Sequence, residues 1–65
     1  MNSREAAQKI LDEIVEIIGF YREDVEVAYG NGRNDLAERY QISVDTLANL
    51  AAGLKNSINN GKYGE

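Results

Sequence analysis

Two clusters of acidic residues in the first half of the chain are the side chains most able to do chemistry. The clusters are Asp12, Glu13 and Glu16, and then Glu23, Asp24 and Glu26. Paired carboxylates act as general acid and base only in a cleft that shifts their pKa values, and a chain of 65 residues has little room for a cleft. The amphipathic pattern around the clusters indicates a solvated acidic helix face instead.

The residue types that are missing narrow the chemistry further. The sequence has no histidine and no cysteine, so it lacks the commonest general base, the commonest metal ligand and any disulfide. Gly30-Asn31-Gly32 lacks the lysine and the spacing of a phosphate-binding loop. Asn31, Asn34 and Asp35 do not fall at calcium-loop positions. We therefore predict that the protein is not an enzyme and has no cofactor, no metal site and no small-molecule substrate.

The length and the polarity of the chain predict one soluble domain. Sixty-five residues bury a modest core, and a second copy would extend it, so we expect a homodimer. The longest apolar run, Ile14 to Tyr21, contains Glu16 and is far too short to span a membrane. No secretory leader is recognisable at the polar start of the sequence. We expect a cytoplasmic protein without a membrane partner.

The first half, residues 1–29, predicts an acidic amphipathic helix that Ser3 caps. Apolar residues recur at steps of three and four: Ala7, Ile10, Ile14, Ile17 and Tyr21. Gly19 leaves two alternatives open, because it can end the helix or lie inside it at a cost of ~1 kcal/mol. The pattern after Gly19 fits either a long helix to about Tyr29 or a separate short helix from Glu23 to Tyr29.

Glycine and asparagine residues predict the breaks in the chain. Gly30-Asn31-Gly32 predicts a turn over residues 30–34, because these residue types adopt left-handed conformations at little cost. Asn59-Asn60-Gly61 predicts the end of the last helix. Residues 61–65 are expected to form a frayed tail.

The second half, residues 35–60, fits two interpretations. Asp35 with Glu38 has the spacing of a capping box, and Ser43 is a good cap for a second helix. Ile42-Ser43-Val44 then favours a turn between two helices, because β-branched residues and serine weaken helix interiors. The alternative is one continuous helix from about Asn34 to Asn59. One unbroken apolar series supports it: Ala37, Tyr40, Val44, Leu47, Ala51, Leu54 and Ile58.

In its turned form this stretch resembles the helix-turn-helix of small phage and bacterial repressors. The resemblance covers residues 35–50 and rests on Leu36, Ala37, Tyr40, Ile42, Ser43, Thr46 and Leu47, with Gln41 where such motifs often have glycine. It implies a transcription regulator that binds DNA as a dimer through the helix after the turn. The residues then expected to contact DNA are Arg33, Arg39, Ser43, Thr46, Asn49 and Lys55.

The charge distribution supports a rival function. Residues 1–32 carry a net charge of −4, from three basic and seven acidic side chains, and residues 33–65 are neutral. DNA binding draws on a basic surface, which is thin here. The alternative is an inhibitor or adaptor that binds a basic, nucleic-acid-binding protein, through a DNA-mimicking or merely acidic face. Its binding residues would be the six acidic residues of the two clusters.

The sequence as a whole predicts an all-α fold of two to four helices, with a long amphipathic helix followed by the helix-turn-helix-like half. The tyrosines Tyr21, Tyr29 and Tyr40 have no interleaved basic residues, so we expect them to pack in the core or at a subunit interface rather than to stack on nucleic acid.

Overall fold

The computed structural model describes residues 2–64, which form a hairpin of two long α-helices. Helix α1 runs over Ser3–Gly30 and helix α2 over Asn34–Asn59. The hairpin measures 47 × 17 × 11 Å. The prediction of an all-α fold is confirmed, and the number of helices is the lower limit of the predicted range.

The residue that caps the first helix lies one position before the predicted cap. Asn2, rather than Ser3, is the N-cap: its Oδ1 accepts a hydrogen bond from the Glu5 backbone N–H at 2.8 Å. Its Nδ2 in turn donates to Glu5 Oε1 at 3.2 Å. This exchange between the cap and the third helical residue resembles a capping box. Ser3 is therefore the first helical residue and not the cap.

Gly19 lies inside α1 and does not end it. The helix continues for eleven residues beyond it, to Gly30. One interior glycine costs about 1 kcal/mol relative to alanine. Ile18 and Val25, on either side of it along the helix, are both buried against the second half of the hairpin, and burial of such side chains is worth more than the glycine costs. Of the two alternatives, the long helix is the one that forms.

The turn after α1 is a Schellman motif centred on Gly32. The Gly32 N–H donates to Tyr29 O at 3.0 Å, and the Arg33 N–H donates to Ala28 O at 2.8 Å. Gly32 has a φ of 73°, which favours glycine because other residues pay a steric penalty there. The turn lies where the glycine-rich segment predicted a break, and it is short enough to fold α2 back along α1.

The predicted turn at residues 41–43 is wrong, because α2 is continuous through them. Gln41 Nε2 donates to Asp45 Oδ1 at 3.1 Å, a contact one helical turn apart that spans the predicted break. Ser43 Oγ lies 3.5 Å from Arg39 O and back-bonds within the helix instead of capping a new one. Val44 is buried in the interface with α1. Tertiary packing therefore outweighs the weak helix propensity of this segment.

The core is a single seam between the two helices. Its residues alternate at steps of three and four on both helices, which is the heptad pattern of an antiparallel coiled coil. Nine of them are buried: Ala7, Leu11, Ile18, Val25, Ala28, Ala37, Val44, Ala51 and Ile58. Four of the nine are alanine. Two of them, Ala28 and Ala37, lie next to the turn, where their small side chains let the two helices approach closely.

Two tyrosines join the two parts of the core. Tyr21 packs against the larger of two clusters of buried residues and Tyr40 against the smaller cluster near the turn. The larger cluster is Ala7, Leu11, Ile18, Val44, Ala51 and Ile58, and the smaller is Val25, Ala28 and Ala37. Their ring centroids are 5.9 Å apart at an interplanar angle of 45°, a tilted geometry that aromatic pairs favour. These two tyrosines serve packing, as predicted, whereas Tyr29 is exposed on the surface.

The segment after α2 makes a turn and then contacts the core through Tyr63. Gly61 has a φ of 76°, and the Lys62 N–H donates to Ser57 O at 3.0 Å, so a second Schellman motif closes α2. Tyr63 is half-buried and packs against the larger core cluster. Its ring covers the open end of the seam, and the frayed tail stays a prediction. The last residue of the predicted tail, at position 65, lies outside the described residues.

Candidate functional site

The outward face of α1 carries a continuous line of carboxylates, which we call the acidic stripe. At 100° per residue, its five members fall within one narrow sector opposite the core: Glu5, Asp12, Glu16, Glu23 and Glu26. Lys9 is the one basic residue in the same sector. The stripe spans 21 residues, or about 31 Å at 1.5 Å per residue. It therefore covers most of the length of the hairpin.

The structure divides the six acidic residues that the sequence proposed as a protein-binding face. Asp12, Glu16, Glu23 and Glu26 share the acidic stripe. Glu13 and Asp24 lie on the neighbouring side of α1, about 60° or more from every member of the stripe around the helix axis. Glu5 was not among the six, although its spacing of seven residues from Asp12 is a helical repeat that the sequence already contained.

The carboxylates of the stripe are solvated and make few contacts with other side chains. All five residues are exposed. Asp12 Oδ1 accepts a hydrogen bond from Gln8 Nε2 at 2.9 Å, and Glu5 bonds with Asn2 as described. Within residues 2–64 the recorded ion pair is elsewhere, between Arg33 Nε and Asp35 Oδ1 at 4.0 Å. The negative field of the stripe is therefore not neutralised by salt bridges among the described residues.

The residues expected to contact DNA are not brought together on one surface. Arg33 lies in the turn, and Lys55 is about 33 Å away along α2. Arg39, Ser43 and Thr46 share one side of α2, with Ser43 half-buried and bonded to its own helix. Asn49 points to the outer face and Lys55 to the opposite side. The other five residues lie on α2, which is one continuous helix, so the set has no separate recognition helix.

A second surface, which the sequence pattern did not predict, lies beside the seam. It consists of large hydrophobic side chains that are about half exposed, and we call it the apolar flank: Ile10, Ile17, Phe20, Val27 and Leu50. The four residues from α1 follow one another at steps of seven, three and seven, so they form a second helical stripe between the core stripe and the acidic stripe. Ile10 and Ile17 were assigned to the core by their spacing, but 53% and 43% of their surface remains exposed.

Three shallow depressions line the same side of the hairpin. The largest, about 460 Å³, is lined by Val27 and Leu36 among others, and the one at the far end, about 270 Å³, by Ile10 and Tyr63. A depression of about 280 Å³ lies between them at Tyr21 and Thr46. The largest depression also has Asp24, Asn31 and Arg33 in its lining. All three depressions are shallow and open to solvent, so they fit the side chains of a partner better than an enclosed small molecule.

The described residues contain neither a group of metal ligands nor a helix that could span a membrane. Between residues 2 and 64, no three histidine, cysteine, aspartate or glutamate side chains are grouped closely enough to hold a metal ion. Over the same residues, neither helix combines the length and apolar character needed to cross a membrane.

Comparisons of the chain with protein families, curated proteins and solved structures found no match.

Proposed function

We propose that the protein is a non-enzymatic inhibitor or adaptor that binds a basic, nucleic-acid-binding protein through the acidic stripe. The observation that carries this proposal is the alignment of five exposed carboxylates and one lysine along about 31 Å of one helix. Such a line of like charges accelerates encounter with a basic surface and selects against acidic ones. We place the interaction in the cytoplasm, on the expectation from the sequence.

The density of charge favours a basic protein face over a strict imitation of duplex DNA. A DNA strand carries one phosphate per 3.4 Å, so about nine phosphates occupy the length of the stripe on each strand. The stripe has five carboxylates over that length. It therefore presents roughly half the charge of one strand, which is enough to compete for some phosphate-binding side chains but not to reproduce a duplex.

We also propose that the protein acts as a homodimer. The radius of gyration is 14.7 Å, whereas a compact domain of 65 residues has about 10.7 Å. The hairpin is thus a two-helix layer with one seam, and a two-helix layer buries little of its apolar surface alone. Association of two copies would supply the second layer and would present the acidic stripe twice.

The DNA-binding regulator remains the rival proposal, with weaker support. This proposal was based on a predicted turn at residues 41–43, but α2 is helical there. Arg39 and Thr46 still share one side of α2 and could contact a groove, but the second helix of the motif, which sets the angle of entry, has no counterpart. The charge of α1 would also oppose approach to phosphates.

A pair of charge reversals tests the proposed function. The test variant is Glu16→Lys with Glu23→Lys, two stripe residues seven positions apart. The control is Glu38→Lys with Asp45→Lys, two exposed residues of α2 that are also seven apart and change the net charge equally. Each tagged protein is incubated with nuclease-treated native extract, and the bound proteins are identified and quantified.

We expect a basic partner that binds the wild type and the α2 control but is lost, by about tenfold or more, from the stripe variant, because two reversed charges remove four units from the stripe. Equal loss from both variants would show that only net charge matters and would contradict a specific stripe. A ligand that disappears on nuclease treatment and needs Arg39 and Asn49 would support the DNA-binding rival.

A further inference from the structure

The two sides of the hairpin differ in a way that points to a second copy of the chain. On one side of the seam lies the apolar flank. On the other side the same helical positions carry mostly polar residues: Gln8, Val15, Arg22, Tyr29, Asn34, Gln41, Ala48 and Lys55. Five of the eight large exposed hydrophobic residues therefore lie on one side of the molecule. Contiguous apolar surface of this kind marks an interaction site.

The exposed area of the chain matches what a dimer interface needs. The accessible surface is 4769 Å², whereas a compact monomer of this mass exposes about 4,100 Å². The excess is about 650 Å², and a standard interface buries about 800 Å² on each partner. A second hairpin packed on the apolar flank would therefore lower the accessible surface per chain to about that of a compact domain.

The stripes that the two helices contribute to this side are complementary to each other in size and charge. The stripe on α1 is bulky and contains two acidic residues: Ala6, Ile10, Glu13, Ile17, Phe20, Asp24 and Val27. The stripe on α2 has mostly small residues and one basic residue: Leu36, Arg39, Ser43, Thr46, Leu50, Gly53 and Ser57. Bulky side chains pack into the spaces beside small ones. Facing copies of α1 would instead place acid against acid.

We propose that two hairpins pair through the apolar flank, with α1 of each copy on α2 of the other, to form an antiparallel four-helix bundle. This inference rests on the dimer proposed above and adds its interface and geometry. A two-fold axis parallel to the helices generates this contact. Both Gly32 turns then lie at the same end of the bundle, and the two acidic stripes remain on its outside.

Substitutions of equal exposure on the two sides test the interface. Phe20→Asp and Leu50→Asp place a charge in the proposed interface from each helix, and Val15→Asp is the control on the polar side. The three side chains are 58%, 56% and 56% exposed, so each change removes a similar amount of packing from the hairpin itself. Helical content by circular dichroism checks the fold, and sedimentation equilibrium measures the dimer dissociation constant.

We expect the wild type and Val15→Asp to dimerise alike, and each interface variant to raise the dissociation constant by about tenfold or more, because a buried charge without a partner is costly. A wild-type monomer at high concentration would overturn both the dimer and its interface. A dimer that Val15→Asp weakens as much as Leu50→Asp does would overturn the interface alone. Neither result depends on the acidic stripe, so the partner proposal is tested separately.

The direction of pairing is tested by a distance between the two turns. The chain has no cysteine, so Asn34→Cys, at the exposed start of α2, gives one spin label per copy. Helices 8–10 Å apart place two labels at the same end within about 30 Å of each other. Pairing of α1 with α1 would place them at opposite ends of a hairpin 47 Å long. A distance below about 30 Å by pulsed electron resonance supports the proposed bundle, and a distance near the full length overturns it.

Discussion

At the scale of single residues, two glycines of the hairpin have opposite roles. Gly19 is an ordinary helical residue, and a Cβ added there meets nothing within 4 Å. Gly32 has equal space around it but holds a φ of 73° in the turn. The two positions therefore differ in backbone conformation and not in the space available for a side chain. The same substitution at both positions separates these two effects.

Gly19→Ala is expected to stabilise the hairpin by about 1 kcal/mol, because it removes the conformational freedom of glycine from a helix interior. Gly32→Ala is expected to destabilise it by about 1–2 kcal/mol, because alanine pays the penalty of the left-handed conformation. Urea unfolding at one fixed protein concentration measures both values. A destabilising Gly19→Ala would indicate that α1 breaks at that residue.

Several residue-level features could not be predicted from local propensity. Ser43 and Ile42 have the properties of a helix boundary, yet Ser43 bonds to Arg39 O and Ile42 is exposed in mid-helix. The capping role of Asn2 was overlooked because Ser3 is an equally good cap on type alone. For Ser43 and Asn2 the hydrogen bond that each side chain makes with a residue three or four positions away is a feature that composition does not reveal.

At the scale of elements, the central finding is that α2 is one helix of 26 residues. The sequence contained the pattern for this, since its apolar series from Ala37 to Ile58 is unbroken. The same series also fits a turned pair of helices, because a tight turn can preserve a step of four. Packing against α1 over the whole length of α2 decides the matter, and the sequence alone gave no measure of that length.

A proline pair tests the continuity of α2. Ser43→Pro removes a backbone hydrogen bond in mid-helix and is expected to cost about 3 kcal/mol or more. Asn34→Pro is the control, because it occupies the first helical position, where the N–H has no helical partner, and should cost little. Thermal unfolding followed by circular dichroism compares them. If Ser43→Pro were tolerated as well as Asn34→Pro, Ser43 would be at a helix start and the turned form would be correct.

At the scale of the whole molecule, the sequence predicted the helical class and the acidic character of the first half, and the structure shows how they combine. Seam, acidic stripe and apolar flank occupy three different sectors of α1. From the sequence, Ile10 and Ile17 of the flank fall in one apolar series with Ala7, Ile14 and Tyr21, because both sets recur at steps of three and four. The core residues can be told from the flank residues only when it is known that a single helix packs on α1, because one helix covers about a third of another's surface.

This arrangement gives each sector of α1 its own task. The seam holds α1 to α2, the apolar flank faces a second copy in the proposed dimer, and the acidic stripe, opposite the seam, stays exposed for the proposed basic partner. A helix-turn-helix would use α2 for DNA and would leave α1 as support. The course of the chain at residues 41–43 therefore separates the two functions as well as the two folds.

Backbone nuclear magnetic resonance of the intact chain tests this course most directly. Carbon chemical shifts report the backbone conformation of each residue, and contacts between methyl groups report the packing of the helices. We expect helical Cα shifts without interruption from Asn34 to Asn59, and methyl contacts that join Leu11 and Ile18 of α1 to the α2 residues of the same core cluster, Val44 and Ala51 among them. Non-helical shifts at residues 41–43, with helical shifts on both sides, would contradict the hairpin and would restore the helix-turn-helix.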